Sequence, residues 1–315
     1  LLVDKPAPAW RDYLAIARLD HWFKNVFVLP GSALAVVLAD VAIVDAVVPT
    51  LIALLATGLT ASANYTINEW LDAESDRHHP LKHTRPGASG RLRPGLVILE
   101  YFTLAVAGLA LAATLNGQFA VFTAMLLFMG LVYNVPPVRT KDRAFLDVLS
   151  ESINNPLRLL LGWSALVAGA LPPSSILLAY WMGGAFLMAV KRYAEFRFIG
   201  DSARAAEYRK SFGHYSEQAL LLSSFFYALC AAFFLGIFLI KYRIEFLLSF
   251  PFFAWLFVWY LAIGMNPDSA AQRPEKLYQN RGFVAYTFFL VALVIFLFFV
   301  DIPVLERLIE KVQFD

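Results

Sequence analysis

Apolar runs of about 17 to 22 residues recur along this chain between charged connectors, and no other feature limits its folding so tightly. A helix rising 1.5 Å per residue needs about 20 such residues to cross ~30 Å of hydrocarbon, whereas a barrel strand needs about ten alternating ones. With 59% hydrophobic and only 16% charged residues in 315, and a mean hydropathy of +0.62, soluble domains are a poor reading. The expectation is an all-α polytopic membrane protein with nine transmembrane helices, near 27–44, 47–66, 96–115, 117–134, 147–168, 174–192, 220–241, 244–264 and 282–300. Cys230, the single cysteine, lies inside an apolar run, which excludes a disulfide framework and a cysteine-based metal site.

The net charge of +2 says little, but its distribution sets an orientation. The N-terminus and segments 67–95, 135–146, 191–219 and 265–281 hold 21 of the 26 Lys and Arg residues, while connectors 40–46, 115–117 and 169–175 hold none. The positive-inside rule makes the basic face, with the N-terminus, cytoplasmic. Residues 1–26 are broken by Arg11, Asp12, Arg18 and Asp20, which does not suit a cleavable signal. Trp10, Tyr13, Leu14 and Ala17 recur with helical spacing and predict an interfacial segment. The expected layout is that segment over 1–26, a catalytic membrane domain over 27–300 and a tail over 301–315.

Chemistry concentrates where the second span meets the basic face. Asn64, Asn68, Asp72 and Asp76 are four residues apart, so their oxygens line one helix face with a drift of about 40° per step. Carboxylate and amide oxygens suit a hard cation such as Mg²⁺, which completes its shell with water and substrate phosphate. Acidic residues at a helix C-terminus oppose the macrodipole, so a mere solvated end accounts poorly for them. Downstream, Lys82 and Arg85 can neutralise phosphate oxygens. His78, His79 and His83 invite zinc, but adjacent histidines followed by Pro80, with no cysteine near, argue against it.

The next basic segment carries Tyr133, Arg139, Lys141 and Asp142 and leads into Asp147, Glu151, Asn154 and Arg158. These last four share a stripe about 60° wide on one helix, subject to a kink at Pro156. Ionisable groups at that depth normally face a polar cavity, although an acid–arginine pair can also join helices. A third cluster, Lys191-Arg192-Tyr193-Ala194-Glu195, precedes Arg209-Lys210-Ser211 and Tyr215. Glu195, one turn beyond Lys191, is placed to hold the lysine for an anion. Arg197 and Arg204 need only the positive-inside rule. Together the clusters imply a Mg²⁺–pyrophosphate site with more cations than one diphosphate requires.

At these residues the chain resembles the UbiA-type intramembrane prenyltransferase superfamily, whose first signature, Asn-Asp-x-x-Asp-x-x-x-Asp, appears here as Asn68-Glu69-x-x-Asp72-x-x-x-Asp76. Within it, Trp22-x-Lys24-Asn25, the run from Asp72 to Pro86, Lys-Arg-Tyr-Ala-Glu and Arg209-Lys210-Ser211 are similar to the decaprenyl-phosphate phosphoribosyltransferase branch. The resemblance implies a nine-helix bundle in the plasma (inner) membrane with its site facing the cytoplasm, and Mg²⁺ on Asn68, Asp72 and Asp76. It implies catalytic roles for those three and Asp147. Substrate binding would fall to Lys24, Asn64, Arg77, Lys82, Arg85, Tyr133, Arg139, Lys141, Glu151, Arg158, Lys191, Arg192, Glu195 and Arg209. The implied reaction moves 5-phosphoribose from phosphoribosyl pyrophosphate to a polyprenyl phosphate, for envelope pentose synthesis. Three departures stand: Glu69 replaces aspartate, the segment after residue 139 is less like the branch although Asp147 and Arg158 occupy places where an acid and an arginine are expected, and Tyr133-x-x-Pro136-Pro137 is closer to aromatic-acceptor members. A conventional prenyltransferase acting on a polyprenyl diphosphate is therefore the alternative, and a lipid-phosphate or ion transporter a second. The expected partners are the two substrates and the lipid bilayer, with no nucleic acid; a homo-oligomer is left open.

Overall fold

The computed structural model describes residues 9–77, 83–200, 202–266, 277 and 279–306. Their regular structure is helical: α1 (Trp10–Ile16), α2 (Leu29–Leu38), α3 (Ile43–Arg77), α4 (Pro94–Ala113), α5 (Gly117–Asn134), α6 (Leu146–Ser152), α7 (Asn154–Ser164), α8 (Ser174–Ile199), α9 (Ser202–Tyr208), α10 (Glu217–Tyr242), α11 (Phe250–Met265), α12 (Arg281–Phe299) and α13 (Pro303–Glu306). A ten-residue 3₁₀ stretch, Leu19–Val28, leads into α2. Among the described residues, eight helical stretches are long and apolar enough to cross a membrane. The multi-pass all-helical expectation holds.

The fifth expected span differs. Instead of one helix over 147–168, the chain makes α6 of 7 residues and α7 of 11, parted at Ile153. Pro156 explains the break. It has no amide hydrogen and its ring collides with the preceding turn inside a helix, but it is tolerated in the first turn of α7. The first span is also composite, since its helix proper stops at Leu38 and Asp40 takes a left-handed φ of 54°. In contrast α3 runs on for 35 residues, roughly 52 Å at helical rise, well beyond a ~30 Å hydrocarbon layer.

The described chain forms two compact units, Leu1–Pro172 with Ile199–Ser216, and Pro173–Phe198 with Glu217–Asp315. In the first, α3 packs on α4 and α5, and α7 on α2 and α5. A core of Val28, Ala53, Ala56, Ala112, Phe119, Leu126, Leu157 and Leu161 fills the middle. Helices in lipid gain little from hydrophobic association, so they close on small residues. Gly162 of α7 lies against the Val28 carbonyl and the Ser32 amide, where an added Cβ would stand 2.8 Å from that nitrogen. Ser32 Oγ donates to the Gly162 carbonyl across the same crossing at 3.2 Å. Trp22 lies over Gly58 of α3 and donates its indole N–H to Ser62 Oγ at 2.9 Å.

α1 is present as predicted, but its inward side is Ile16 and Ala17, while Trp10 and Leu14 are exposed. Ile16 packs with Leu92 and Val97, and Tyr13 and Trp70 flank them. In the second unit Phe186 of α8 stacks on Phe257 and Tyr260 of α11, with centroids 4.8 and 5.8 Å away. Arg243 ties the start of the α10–α11 connection to Asp301 at 2.5 Å and to Glu245 at 3.3 Å.

Candidate active site

The C-terminal half of α3 does present Asn64, Asn68, Asp72 and Asp76 as a ladder, and each rung has a partner in the first unit. Asn64 lies against Gly130, where α5 has no side chain, and its Nδ2 donates to the Leu126 carbonyl at 2.9 Å. Its Oδ1 is buried with no hydrogen-bond partner among the described residues. One turn on, Asn68 Nδ2 donates to Asn134 Oδ1. Asp72 receives Arg139 at 3.0 Å and also the Lys141 ammonium on the same oxygen. Asp76, with its side chain only 5% exposed, pairs with Arg85 at 2.7 Å. Arg77 donates to the Ala88 carbonyl at 3.0 Å, which fixes the turn carrying Arg85.

Glu69, the glutamate in the second place of the motif, lies off the ladder. It is buried, with its Oε1 3.5 Å from the Gly87 amide nitrogen, so it faces the 83–90 turn. A Cβ on Gly87 would stand 2.8 Å from the Glu69 carbonyl, which explains a glycine there.

The connector after α5 delivers the cations. Arg139 takes a φ of 27°, and from there its guanidinium reaches Asp142 at 3.1 Å and the Asn134 carbonyl at 3.2 Å in addition to Asp72. Lys141, 4% exposed, also donates to Asn134 Oδ1 at 2.9 Å and stands 6.0 Å from the Tyr133 ring centroid. Burial pushes its pKa down to about 8; Asp72 opposes that shift, and Arg139 and Arg209 add to it. Asn134, absent from the sequence candidates, thus joins the amide rung to the lysine. Only its place at the end of an apolar helix marks it in the sequence. Asn25, beside Lys24, is 3% exposed, and neither its amide oxygen nor its nitrogen has a partner among the described residues.

Asp147, Glu151 and Arg158 do not form the continuous stripe expected of them, because the helix breaks between them. Asp147 is fully buried and accepts from Tyr215 OH at 2.7 Å and Ser211 Oγ at 3.2 Å, with Arg209 at 3.9 Å. Glu151 accepts from Tyr133 OH at 2.7 Å, and Arg209 reaches that same hydroxyl at 3.5 Å. Arg158, beyond the break, donates to the Asn154 carbonyl one turn back on its own helix at 3.4 Å. A connected path therefore runs from Asp72 through Lys141 and Tyr133 to Arg209 and Asp147.

Lys24 approaches His21 at 3.3 Å on the 3₁₀ stretch. Lys191, Arg192 and Glu195 belong to the second unit, where Arg192, 1% exposed, pairs with Glu195 at 3.0 Å. Lys82, with His78 and His79, lies outside the described residues.

The donor set of Asn68, Asp72 and Asp76 fits Mg²⁺ in kind, being hard oxygens along one face, and the unpartnered Asn64 oxygen extends it. Among the described residues no group of three or more His, Cys, Asp or Glu converges on one point, so amides and ligand oxygens must complete any shell. The charge that a divalent cation would balance at Asp72 is balanced by Arg139 and Lys141.

A model of the UbiA prenyltransferase family matches residues 27–284. The chain spans 28% and 61% of the length of two curated relatives, an uncharacterized protein of Sinorhizobium fredii and a decaprenyl-phosphate phosphoribosyltransferase of Mycolicibacterium smegmatis. Each is 33% identical, over 48% and 64% of this chain. A protoheme IX farnesyltransferase of Alkalihalophilus pseudofirmus is 26% identical over 63% of this chain and 65% of its own. A solved UbiA homolog from Archaeoglobus fulgidus, bound to DMAPP and Mg²⁺, superposes with a TM-score of 0.66 at 21% identity, over 89% of this chain and 99% of that one. At that identity the likeness concerns the fold.

Proposed function

The chain belongs to the UbiA prenyltransferase family, and from that premise we propose that it transfers 5-phosphoribose from phosphoribosyl pyrophosphate to a polyprenyl phosphate, releasing pyrophosphate. The observation that carries this reading is the gathering of four cations beside the ladder, each held on a carboxylate: Arg139, Lys141 and Arg209 stand on one connected path from Asp72, and Arg85 pairs with Asp76, one helical turn further along α3. A prenyl diphosphate brings one diphosphate, whereas phosphoribosyl pyrophosphate brings a diphosphate and a monophosphate, and the acceptor a further phosphate. The similarity to a decaprenyl-phosphate phosphoribosyltransferase supports the same choice.

Mg²⁺ held by Asn68, Asp72 and Asp76 would draw charge from the diphosphate leaving group as the bond from C1 to oxygen breaks. Arg85, Arg139 and Lys141 neutralise the remaining diphosphate charge. Asp147 is a positioning residue: held by Tyr215 and Ser211, it keeps Arg209 beside Tyr133. An oxygen of the lipid phosphate, already an anion, bonds to C1 as pyrophosphate departs, so no strong general base is required. Lys191 and Arg192 are assigned to the lipid phosphate on their Lys-Arg-Tyr-Ala-Glu resemblance. The basic face is cytoplasmic in this reading, in the plasma membrane, because it gathers 21 of 26 Lys and Arg residues.

The second reading, alkylation of an acceptor by a polyprenyl diphosphate, draws on Tyr133-x-x-Pro136-Pro137 and on the farnesyltransferase relative. One assay decides. Purified protein, Mg²⁺, labelled phosphoribosyl pyrophosphate and a polyprenyl phosphate should move ribose label into the organic phase with release of pyrophosphate. Transfer only from a polyprenyl diphosphate to an aromatic acceptor reverses the order.

A further inference from the structure

Outside the carboxylate ladder, the 3₁₀ stretch Leu19–Val28 gathers basic groups in an unusual way. Runs of 3₁₀ helix longer than three or four residues are uncommon, and this one has ten. Its three-residue turn eclipses side chains at i and i+3, so His21 and Lys24 stack along one edge, and Arg18, at the cap just outside the stretch, meets that edge at His21. In an α-helix His21 and Lys24 would fan out by about 60°. Arg18 enters the stretch with a left-handed φ of 52°, a conformation unfavourable for a side chain with a Cβ.

The stack is crowded with donors. Arg18 NH2 lies 2.5 Å from His21 Nε2, and Lys24 Nζ lies 3.3 Å from His21 Nδ1. A neutral imidazole has one acceptor nitrogen, and a charged one has none. One of those two approaches therefore brings donor against donor. Two carboxylates stand near them: Asp20 is 3.7 Å from Arg18 and 3.5 Å from His21, with its side chain 69% exposed, and the buried Glu69 is close enough to feel the charge of Arg18. An anion placed on this edge would accept from all three.

The stack is anchored to α3. The His21 ring meets the Tyr65 ring edge-on at 5.3 Å, and Lys24 Nζ stands 5.9 Å from the Tyr65 centroid. Tyr65 and Asp72 are seven residues apart, within about 20° on one face of α3 and roughly 10 Å along it. A pentose ring with a phosphate at each end spans such an interval.

The geometry points to Arg18, His21 and Lys24 as a phosphomonoester subsite, separate from the metal-held diphosphate, that takes the 5-phosphate of the sugar donor. This rests on the phosphoribosyl reading of the site. It makes Arg18 and His21 binding residues and gives Lys24 a defined ligand group.

The test uses the full chain in detergent with Mg²⁺, titrated calorimetrically with phosphoribosyl pyrophosphate, inorganic pyrophosphate, ribose 5-phosphate and geranyl diphosphate. Arg18→Gln and His21→Gln should each weaken phosphoribosyl pyrophosphate and ribose 5-phosphate about 10- to 100-fold, the scale of one lost charge-assisted bond. Pyrophosphate affinity should not change. Equal losses for phosphoribosyl pyrophosphate and pyrophosphate, or no loss for either, overturn the subsite and leave the donor reading in place. Geranyl diphosphate binding to wild type without binding of either ribose phosphate defeats the donor reading itself. Should Arg18→Gln fail to fold, Arg18→Lys decides. It keeps the charge and changes the donor geometry, so a loss confined to the two ribose phosphates supports the subsite and wild-type affinity refutes it.

Discussion

Replacing Lys141 by Met separates the chemistry of the site from the stability of the fold. The ammonium bonds Asp72 and Asn134 from a side chain only 5% exposed. Burial lowers its pKa from the usual 10.5 to about 8 even with Asp72 opposing the shift, a net bias of roughly 3 kcal/mol against the charged form. Met has a similar length and no charge, so that term disappears. Asp72 keeps Arg139 at 3.0 Å and is not left unpaired. Removing a buried charge whose partner retains another partner is close to neutral, and replacing buried ion pairs by apolar side chains is often stabilising. Lys141→Met should therefore unfold within about 1 kcal/mol of wild type, or above it, in a detergent unfolding titration. Turnover should respond differently. If Lys141 contacts the diphosphate, kcat/KM should fall by about 10- to 150-fold, the loss of one charge-assisted hydrogen bond of about 1.5 to 3 kcal/mol. A variant destabilised by more than about 3 kcal/mol yet within twofold of wild-type kcat/KM would make Lys141 a structural strut and refute this account.

Asp72→Asn and Asp76→Asn should each abolish most activity while the protein elutes as wild type from a sizing column, and EDTA should reproduce them; full activity in EDTA removes the metal assignment. Tyr215→Phe strips Asp147 of a hydrogen bond at 2.7 Å and leaves the Phe145 amide, 2.5 Å from the same hydroxyl, without its acceptor. Thermal unfolding should register a loss of about 2 to 4 kcal/mol, and an unchanged midpoint contradicts the positioning role given to Asp147. Gly162→Ala forces apart the α2–α7 crossing, where the contacting atoms are backbone and cannot turn aside. A destabilisation of about 1 to 3 kcal/mol is expected from unfolding in mixed micelles, and wild-type stability would mean that the crossing is not close.

The spans were legible because lipid imposes one length on every crossing, and the ladder because a spacing of four can be read directly as a helix face. Four features were not. The break at Ile153 follows from Pro156, which the sequence displays, but whether proline bends a helix or ends it depends on what satisfies the freed carbonyls. The partners of Asp147 are 64 and 68 residues away, at Ser211 and Tyr215, and no periodicity links such positions. Asn134 reads in the sequence as the polar end of an apolar helix, and its bond to Asn68 exists only once α3 and α5 pack side by side. Likewise the stacking of His21 and Lys24 depends on a 3₁₀ turn and the approach of Arg18 on its left-handed backbone, whereas an α-helical reading of residues 10–17 gives no reason to expect a change of pitch two residues later.

The length of α3 bears on how the rate of any reaction at this site would have to be expressed. Its apolar portion is spent by about residue 66, and Asp72 and Asp76 follow roughly 9 and 15 Å further along the axis. A ligand arriving there from the aqueous phase is counted in moles per litre. One tethered in the bilayer is counted per unit area of lipid, because it meets the protein by lateral diffusion. Diluting membranes with inert phospholipid at fixed aqueous volume would then lower the occupancy of the second without altering the first. The apparent affinity for a bilayer-borne substrate becomes a mole fraction, and assays of this chain in micelles of different size should agree only when plotted on that scale.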